Sequence, residues 1–117
     1  MKLAETARSI DGTVVTAAAE AASAEVRGGY ASDLLSDVMA NSREGDLWVT
    51  MQRHVNIVAV ADLNGLAGIV LVNGRKPEEA TAARAEEKRM PIICTELQAF
   101  EVAGILYTLG VRGRRSA

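Results

Sequence analysis

Residues 28–39 read Gly28-Gly29-Tyr30-Ala31-Ser32-Asp33-Leu34-Leu35-Ser36-Asp37-Val38-Met39, a glycine turn that passes directly into an apolar-spaced helix. Adjacent glycines allow backbone angles that are closed to other residues, and Ser32 or Asp33 is a candidate N-cap for the helix. Asp33 and Asp37 are four residues apart, as are Ser32 and Ser36, so each pair is predicted to share a helix face. A turn of this kind is where α/β proteins place small-molecule sites, because free backbone N–H groups point outward there.

Strands and helices alternate along the rest of the chain. The apolar patterns predict helices over residues 2–10, 33–40, 57–63, 78–89 and 96–109, and strands over residues 13–16, 46–51, 67–72 and 91–95. Asn56 is expected to cap one helix and Pro77 to occupy the first position of another. The Ala-rich segment 17–25 lacks a larger apolar anchor and is expected to be a surface connection.

Short alternating elements of this kind predict right-handed βαβ units. The predicted fold is therefore α/β: a single domain at residues 1–111, with a mostly parallel sheet of about 4–5 strands and helices on both faces. A frayed basic tail is predicted at residues 112–117, which carry Arg112, Arg114 and Arg115.

Composition excludes several classes of protein and site. One Trp, one Phe and two Tyr, with a net charge of −2, leave little to stack on bases or to attract a phosphate backbone, so no nucleic-acid partner is expected. The single cysteine, Cys94, and the single histidine, His54, exclude a Cys-rich or His-cluster metal centre, and no metal is expected. No apolar run is long enough to span a bilayer, so the protein is expected to be cytoplasmic, with no membrane partner.

Polar residues follow the predicted strands, in the loops 52–56, 73–76 and 95–96. The carboxyl ends of parallel strands share one edge of a sheet, where ligands collect. Together with the helix start at residue 32, these loops supply the candidate ligand-binding residues: Ser32, Asp33, Ser36, Gln52, His54, Asn56, Asn73, Arg75 and Thr95. Donors dominate this set, which favours an anionic ligand, with Asp33 reading a hydroxyl or an amine on the same molecule.

Each candidate also has a structural interpretation. The aspartates and serines of residues 32–37 can be one N-cap and solvated helix positions, His54 can serve loop hydrogen bonding or a subunit contact, and residues 73–75 can form an ordinary turn. Cys94 is expected to act as a small hydrophobe. No nucleophile–base pair, metal set or phosphate-binding loop motif is present, so no catalytic residue is predicted.

Several blocks of the chain resemble the DRTGG-domain family. They are residues 29–41 (GYASDLLSDVMAN), 45–50 (GDLWVT), 54–61 (HVNIVAVA) and 99–104 (AFEVAG), and the similarity covers nearly the whole chain. The five-letter signature that names the family has only a loose echo here, in residues 25–29 (EVRGG). The resemblance implies kinship with the N-terminal domain of HPr kinase/phosphorylase and with regulatory, non-catalytic modules of CBS-containing pyrophosphatases and phosphotransacetylases. It also implies a protein partner in a signalling or hydrogenase-associated system.

The expected function is therefore a non-catalytic regulatory or ligand-sensing module that binds a small anion such as a nucleotide and acts through subunit or partner contacts. No tightly bound cofactor is expected. A homodimer or larger homo-oligomer is predicted, because a small α/β unit with few aromatics has little core to spare and its Ala- and Val-rich helices can pack against a twin. The alternative is a structural or adaptor protein without a small-molecule ligand, and a small enzyme is the third reading.

Overall fold

A computed structural model describes residues 1–114, within which six helices alternate with five strands. The strands are β1 (Thr13–Thr16), β2 (Gly28–Ala31), β3 (Asp46–Thr50), β4 (Gly68–Leu71) and β5 (Ile92–Cys94). The helices are α1 (Leu3–Ser9), α2 (Ala18–Ser23), α3 (Leu35–Asn41), α4 (Asn56–Asn64), α5 (Glu79–Glu87) and α6 (Ala99–Thr108). Within residues 1–114 no helix has the length and apolar character needed to cross a bilayer.

The strands form one sheet in the order β1-β5-β4-β3-β2. β2, β3, β4 and β5 run parallel, with Tyr30, Trp48, Ile69 and Ile92 in register across them. β1 is antiparallel to β5 and closes that side of the sheet. The predicted mostly parallel sheet is thus confirmed, and its nearly continuous apolar strands are those of a sheet covered on both faces.

Helices cover both faces, as predicted. Leu47 and Val49 of β3 point into one core with residues of α1, α2 and α6, while Trp48 points into the other with residues of α3, α4 and α5. The Trp48 side chain is fully buried, and its indole N–H donates to the carbonyl oxygen of Ser32 at 2.8 Å. This bond fixes the segment that leaves β2 at the carboxyl edge of the sheet.

The starts of several helices differ from the sequence prediction, and α6 begins at Ala99 rather than at residue 96. α3 begins at Leu35, after a Leu34 N-cap that makes no side-chain cap bond, so neither Ser32 nor Asp33 is its N-cap. α4 begins at Asn56 itself, after Val55, so Asn56 is not a cap either. α5 begins two residues after Pro77, because the Glu78 N–H donates to the Arg53 carbonyl at 3.3 Å and Glu78 is extended.

The segment expected to be a surface connection contains a helix, α2. Ala21 of this helix is buried in the core that also holds Leu3 and Ala7 of α1. The N–H of Ala17, immediately before the helix, donates to Glu86 Oε1 at 2.8 Å. A methyl group is enough to anchor α2 because α1 lies close against it.

Residues 111–114, here termed the C-terminal strap, lie against the outer edge of β2 rather than fraying. α6 ends before Gly110, whose φ is +101°, and Gly29 N–H then donates to the Arg112 carbonyl at 3.0 Å. The Arg114 guanidinium bonds Asp46 Oδ1 through Nε at 3.0 Å and Nη2 at 2.5 Å. The expectation of a solvated tail is therefore wrong for Arg114, because a buried carboxylate 68 residues away in the sequence binds it. Arg112 is exposed, and its guanidinium lies over the Tyr107 ring. Residues 115–117 lie outside the described part of the chain.

Candidate functional site

The carboxyl ends of β2, β3 and β4 open onto a cleft of about 370 Å³, here termed the β2–β4 cleft. Ser32 and Asp33 reach it from the end of β2, Met51 from the end of β3, and Asn73 from the end of β4. The start of α6, residues 98–100, forms the remaining wall. Three of the candidate residues, Ser32, Asp33 and Asn73, therefore line a single cleft.

Asp33 is held firmly at this cleft. Its Oδ1 accepts hydrogen bonds from Thr50 Oγ1 and from the Met51 N–H, both at 2.7 Å, and its carbonyl accepts from Gln52 Nε2 at 2.9 Å. Thr50 is only 2% exposed, so its hydroxyl is a fixed donor. These bonds join the loop after β2 to the end of β3, and they explain why Asp33 does not cap α3. Within residues 1–114, Asp33 Oδ2 has no hydrogen-bond partner.

The aspartate and serine pairs do not share a helix face, because Ser32 and Asp33 precede α3. Ser32 Oγ accepts from the Leu34 N–H at 3.1 Å. Ser36 is exposed on α3 and does not line the cleft. Asp37 accepts from the Tyr30 hydroxyl at 2.8 and 2.9 Å.

The pKa values of Asp37 and Tyr30 are both shifted by the contacts around them. Hydrogen bonds from Asn41, and then from Tyr30 and Ser32, lower the pKa of its carboxyl. The bond to Asp37, followed by burial, raises the pKa of the Tyr30 phenol. This cluster joins α3 to β2, and its role is structural.

The residues of the loop 52–56 do not line the β2–β4 cleft, although Gln52 contacts the Asp33 carbonyl. His54 is exposed, and its Nδ1 accepts from the Asn56 N–H at 3.1 Å, which places an imidazole where a capping side chain would act. Arg53 Nε donates to the Lys76 carbonyl. Gln52, His54 and Asn56 thus follow β3 as predicted, but their side chains do not line the cleft.

The turn after β4 is tied to the segment before α6. Asn73 and Gly74 have φ values of +60° and +68°, and their N–H groups donate to the carbonyls of Leu97 and Thr95 at 2.9 Å each. Asn73 Nδ2 also contacts Met51 Sδ at 3.1 Å. Arg75, on the same turn, is exposed and has no side-chain partner among residues 1–114.

Thr95 lies in a second cleft, of about 420 Å³, on the other side of this turn. Its hydroxyl donates to the Ile10 carbonyl at 2.7 Å and is buried. Lys76 and Cys94 line the same cleft; burial raises the pKa of the Cys94 thiol, and the Lys76 charge partly opposes that shift. The candidate residues therefore occupy one edge of the sheet but not one cavity.

Sequence reasoning did not select Phe100, which forms a rim of the β2–β4 cleft and is 84% exposed. Val102 and Leu106 of the same helix are buried, so Phe100 lies off the stripe that packs on the sheet. This position becomes evident only when the structure shows which face of α6 is buried, so the sequence alone contained no signal for Phe100. Gln98, which precedes α6, makes no side-chain cap bond, so the first N–H groups of this helix have no capping side chain where residues 98–100 line the cleft.

The chemistry available at this site is binding. Asp33 is the only charged side chain lining the β2–β4 cleft within the described residues, and the uncapped start of α6 contributes the positive end of a helix dipole. Among residues 1–114 no group of three or more His, Cys, Asp or Glu side chains is placed to hold a metal ion.

Comparison with known proteins relates this geometry to a family. The profile of the DRTGG domain matches residues 5–109. The crystal structure of the CBS and DRTGG domains of the regulatory region of Clostridium perfringens pyrophosphatase, complexed with the activator diadenosine tetraphosphate, has the same fold, with a TM-score of 0.70 and 14% sequence identity. The match covers 89% of this chain and 48% of that one, so the chain spans about half the length of its structural relative. None of the curated proteins matches the sequence.

Proposed function

The chain belongs to the DRTGG-domain family, and from that membership we propose that it is a non-catalytic regulatory module whose β2–β4 cleft binds a small anionic ligand of the nucleotide class. The shared fold with a regulatory region complexed with a nucleotide activator supports this proposal. So does the position of the cleft, because ligands of parallel sheets bind at the carboxyl ends of the strands.

The observation that carries the proposal is the exposed ring of Phe100. The only phenylalanine of the chain stands 84% exposed on the rim of the cleft, beside Met51. Phe100 and Met51, which is 39% exposed, both line the cleft and leave exposed apolar surface there, and contiguous apolar surface of this kind is a feature of binding sites. A nucleobase has a flat face that stacks on such a ring, and stacking contributes about 1–3 kcal/mol.

The start of α6 supplies a place for the phosphate. Its first N–H groups are uncapped at the cleft, and backbone N–H groups at a helix start favour an anion. Arg75 is an unpaired guanidinium, within residues 1–114, on the same turn as Asn73. Glu101, also in the first turn of α6, opposes the anion in part, and it is exposed to solvent.

A ligand in the cleft would contact the loop after β2, the turn after β4 and the start of α6. Binding would order these three segments together, and this change in conformation would alter the surface that a neighbouring subunit or partner contacts. We propose that the change on binding is transmitted to a second copy of this chain in a homodimer, or to a partner protein of a signalling or hydrogenase-associated system. Leu34, which is 63% exposed, supports such a contact. We also propose a cytoplasmic location, consistent with a single unpaired cysteine, and no cofactor other than the nucleotide ligand.

Calorimetric titration with the four ribonucleoside 5′-monophosphates tests the binding function. We expect one of them to bind, and Phe100→Ala to weaken its binding by about 5- to 150-fold, the loss of one stacked base. Arg75→Ala should weaken binding by about 1.5–3 kcal/mol, the range of a charge-assisted hydrogen bond. Leu63→Ala, which removes an apolar side chain that is 71% exposed on α4, outside the cleft, is the matched control and should bind normally.

Two results would contradict the proposal. One is a titration in which none of the nucleotides binds; tight capture of a protein partner by the same preparation would then favour the adaptor function. The other is a Phe100→Ala variant that binds as tightly as the Leu63→Ala control.

A further inference from the structure

We infer that Asp33 recognises the 2′-hydroxyl of the ligand's ribose, so that the β2–β4 cleft selects ribonucleotides over deoxyribonucleotides. This inference rests on the proposed nucleotide-binding function and names the part of the ligand that the chain reads. It is carried by the unequal use of the two carboxylate oxygens of Asp33.

Oδ1 is fully engaged by the protein. It accepts from Thr50 Oγ1 and from the Met51 N–H, both at 2.7 Å, and a carboxylate oxygen has about two acceptor positions. An exposed aspartate ordinarily rotates freely, but these two donors hold the Asp33 carboxylate in one orientation. The cleft therefore contains a preorganised acceptor, which loses little conformational entropy when a ligand binds.

Oδ2 is left free, with no partner among residues 1–114. A guanine edge or a guanidinium is recognised by both oxygens of a carboxylate at once, and the engaged Oδ1 of Asp33 cannot take part in such a pair. One free oxygen instead fits a single hydroxyl donor, and the 2′-hydroxyl is the donor that a ribose has and a deoxyribose lacks.

The place of Asp33 in the fold agrees with this assignment. It follows the end of β2, at the carboxyl edge of the parallel strands. In dinucleotide-binding α/β folds, an acidic side chain near the binding edge of the sheet accepts from the ribose hydroxyl. Here the base platform, Phe100, stands on the rim of the same cleft.

The test compares each ribonucleoside 5′-monophosphate with its 2′-deoxy counterpart by calorimetric titration. Wild-type protein should bind the ribonucleotide about 10- to 100-fold more tightly, the value of a hydrogen bond to a charged group. Asp33→Asn retains Oδ1 for Thr50 and Met51 and replaces Oδ2 by an amide donor. It should lower ribonucleotide affinity to that of the deoxyribonucleotide and leave the deoxyribonucleotide affinity unchanged.

Two further variants separate recognition from folding. Asp62→Asn neutralises an exposed carboxylate on α4, outside the cleft, and should keep the wild-type preference for ribose. Thr50→Val removes one anchor of the Asp33 carboxylate, so the preference should fall, and Thr50→Ser should restore it. Thr50 is a positioning residue in this scheme.

The outcomes separate the inference from the function on which it rests. If deoxyribonucleotides bind wild-type protein as tightly as ribonucleotides do, or if Asp33→Asn weakens both alike, the ribose assignment is overturned while nucleotide binding stands. If no nucleotide of either kind binds, the proposed function fails and the inference fails with it.

Discussion

Arg114→Ala is expected to destabilise the protein well beyond an ordinary surface substitution. The Arg114 guanidinium makes two hydrogen bonds to Asp46 Oδ1, and the Asp46 side chain is only 3% exposed. After the substitution the carboxylate keeps one donor, the Arg43 N–H at 2.8 Å. Breaking a fully buried ion pair costs about 3–5 kcal/mol. Because 29% of the Arg114 side chain is exposed, and water reaches Asp46 once the C-terminal strap lifts, we expect about 1.5–3 kcal/mol.

Urea unfolding and thermal melts measure this loss. For a chain of 117 residues the unfolding entropy is about 0.25 kcal/mol/K, so the melting temperature should fall by about 6–12 °C. Hydrogen exchange should show the Gly29 amide, which donates to the Arg112 carbonyl, losing protection before the central strands do. Arg75→Ala is the matched control for stability, since it removes an exposed arginine that lacks a side-chain partner within residues 1–114. A destabilisation by Arg114→Ala no larger than that of the control would refute this account of the strap.

Three other predictions concern separate parts of the chain. Gly28→Ala places a methyl group 2.7 Å from Arg114 Nε and 2.9 Å from the Arg112 carbonyl oxygen, so it should displace the strap, and urea melts of Gly28→Ala/Arg114→Ala should show less than the sum of the two single losses. The pKa of the Asp37 carboxyl is lowered in the folded state, so the charged carboxylate stabilises the fold above pH 3.8, the ordinary pKa, and this stabilisation is lost as the pH falls below that value. Asp37→Asn should therefore make the melting temperature depend less on pH in the acid range. An unchanged dependence would contradict this prediction. Burial raises the pKa of the Cys94 thiol, so iodoacetamide at pH 8 should alkylate the folded protein more slowly than the urea-unfolded chain, and equal rates would be inconsistent with the buried position.

Four of the five strands could be predicted from the sequence because they are encoded locally, whereas β2 (Gly28–Ala31) is missed because Gly28-Gly29 indicates a turn. The strand predicted over residues 46–51 is β3 (Asp46–Thr50), and that over residues 67–72 is β4 (Gly68–Leu71). Both are short apolar runs bounded by turn residues, the pattern of a buried parallel strand. Once the strands are parallel, the loops that follow them must meet at one edge, which is how Ser32, Asp33 and Asn73 could be placed in the same region.

The details of the site could not be predicted, because they depend on partners distant in the chain. A local reading makes Asp33 a helix cap, whereas its actual donor is Thr50, 17 residues away. The same local interpretation places Arg114 in solvent, because no residue near it in the sequence indicates that it pairs with the carboxylate of Asp46. The position of Phe100 depends on the orientation of α6 about its own axis. Because this helix is rich in apolar residues, the sequence does not show which of them face the sheet, and the structure shows that Val102 and Leu106 do.

The C-terminal strap also bears on how the protein behaves at high concentration. β2 is the last strand of the sheet, and the strap occupies part of its outer edge through the bond from Gly29 N–H to the Arg112 carbonyl. A chain that ends at Gly110 would bare this edge, and an uncovered strand edge is a template on which another molecule can continue the sheet. We therefore expect the C-terminal strap to limit aggregation, and a protein shortened at Gly110 should precipitate at concentrations at which the protein with the strap stays dispersed.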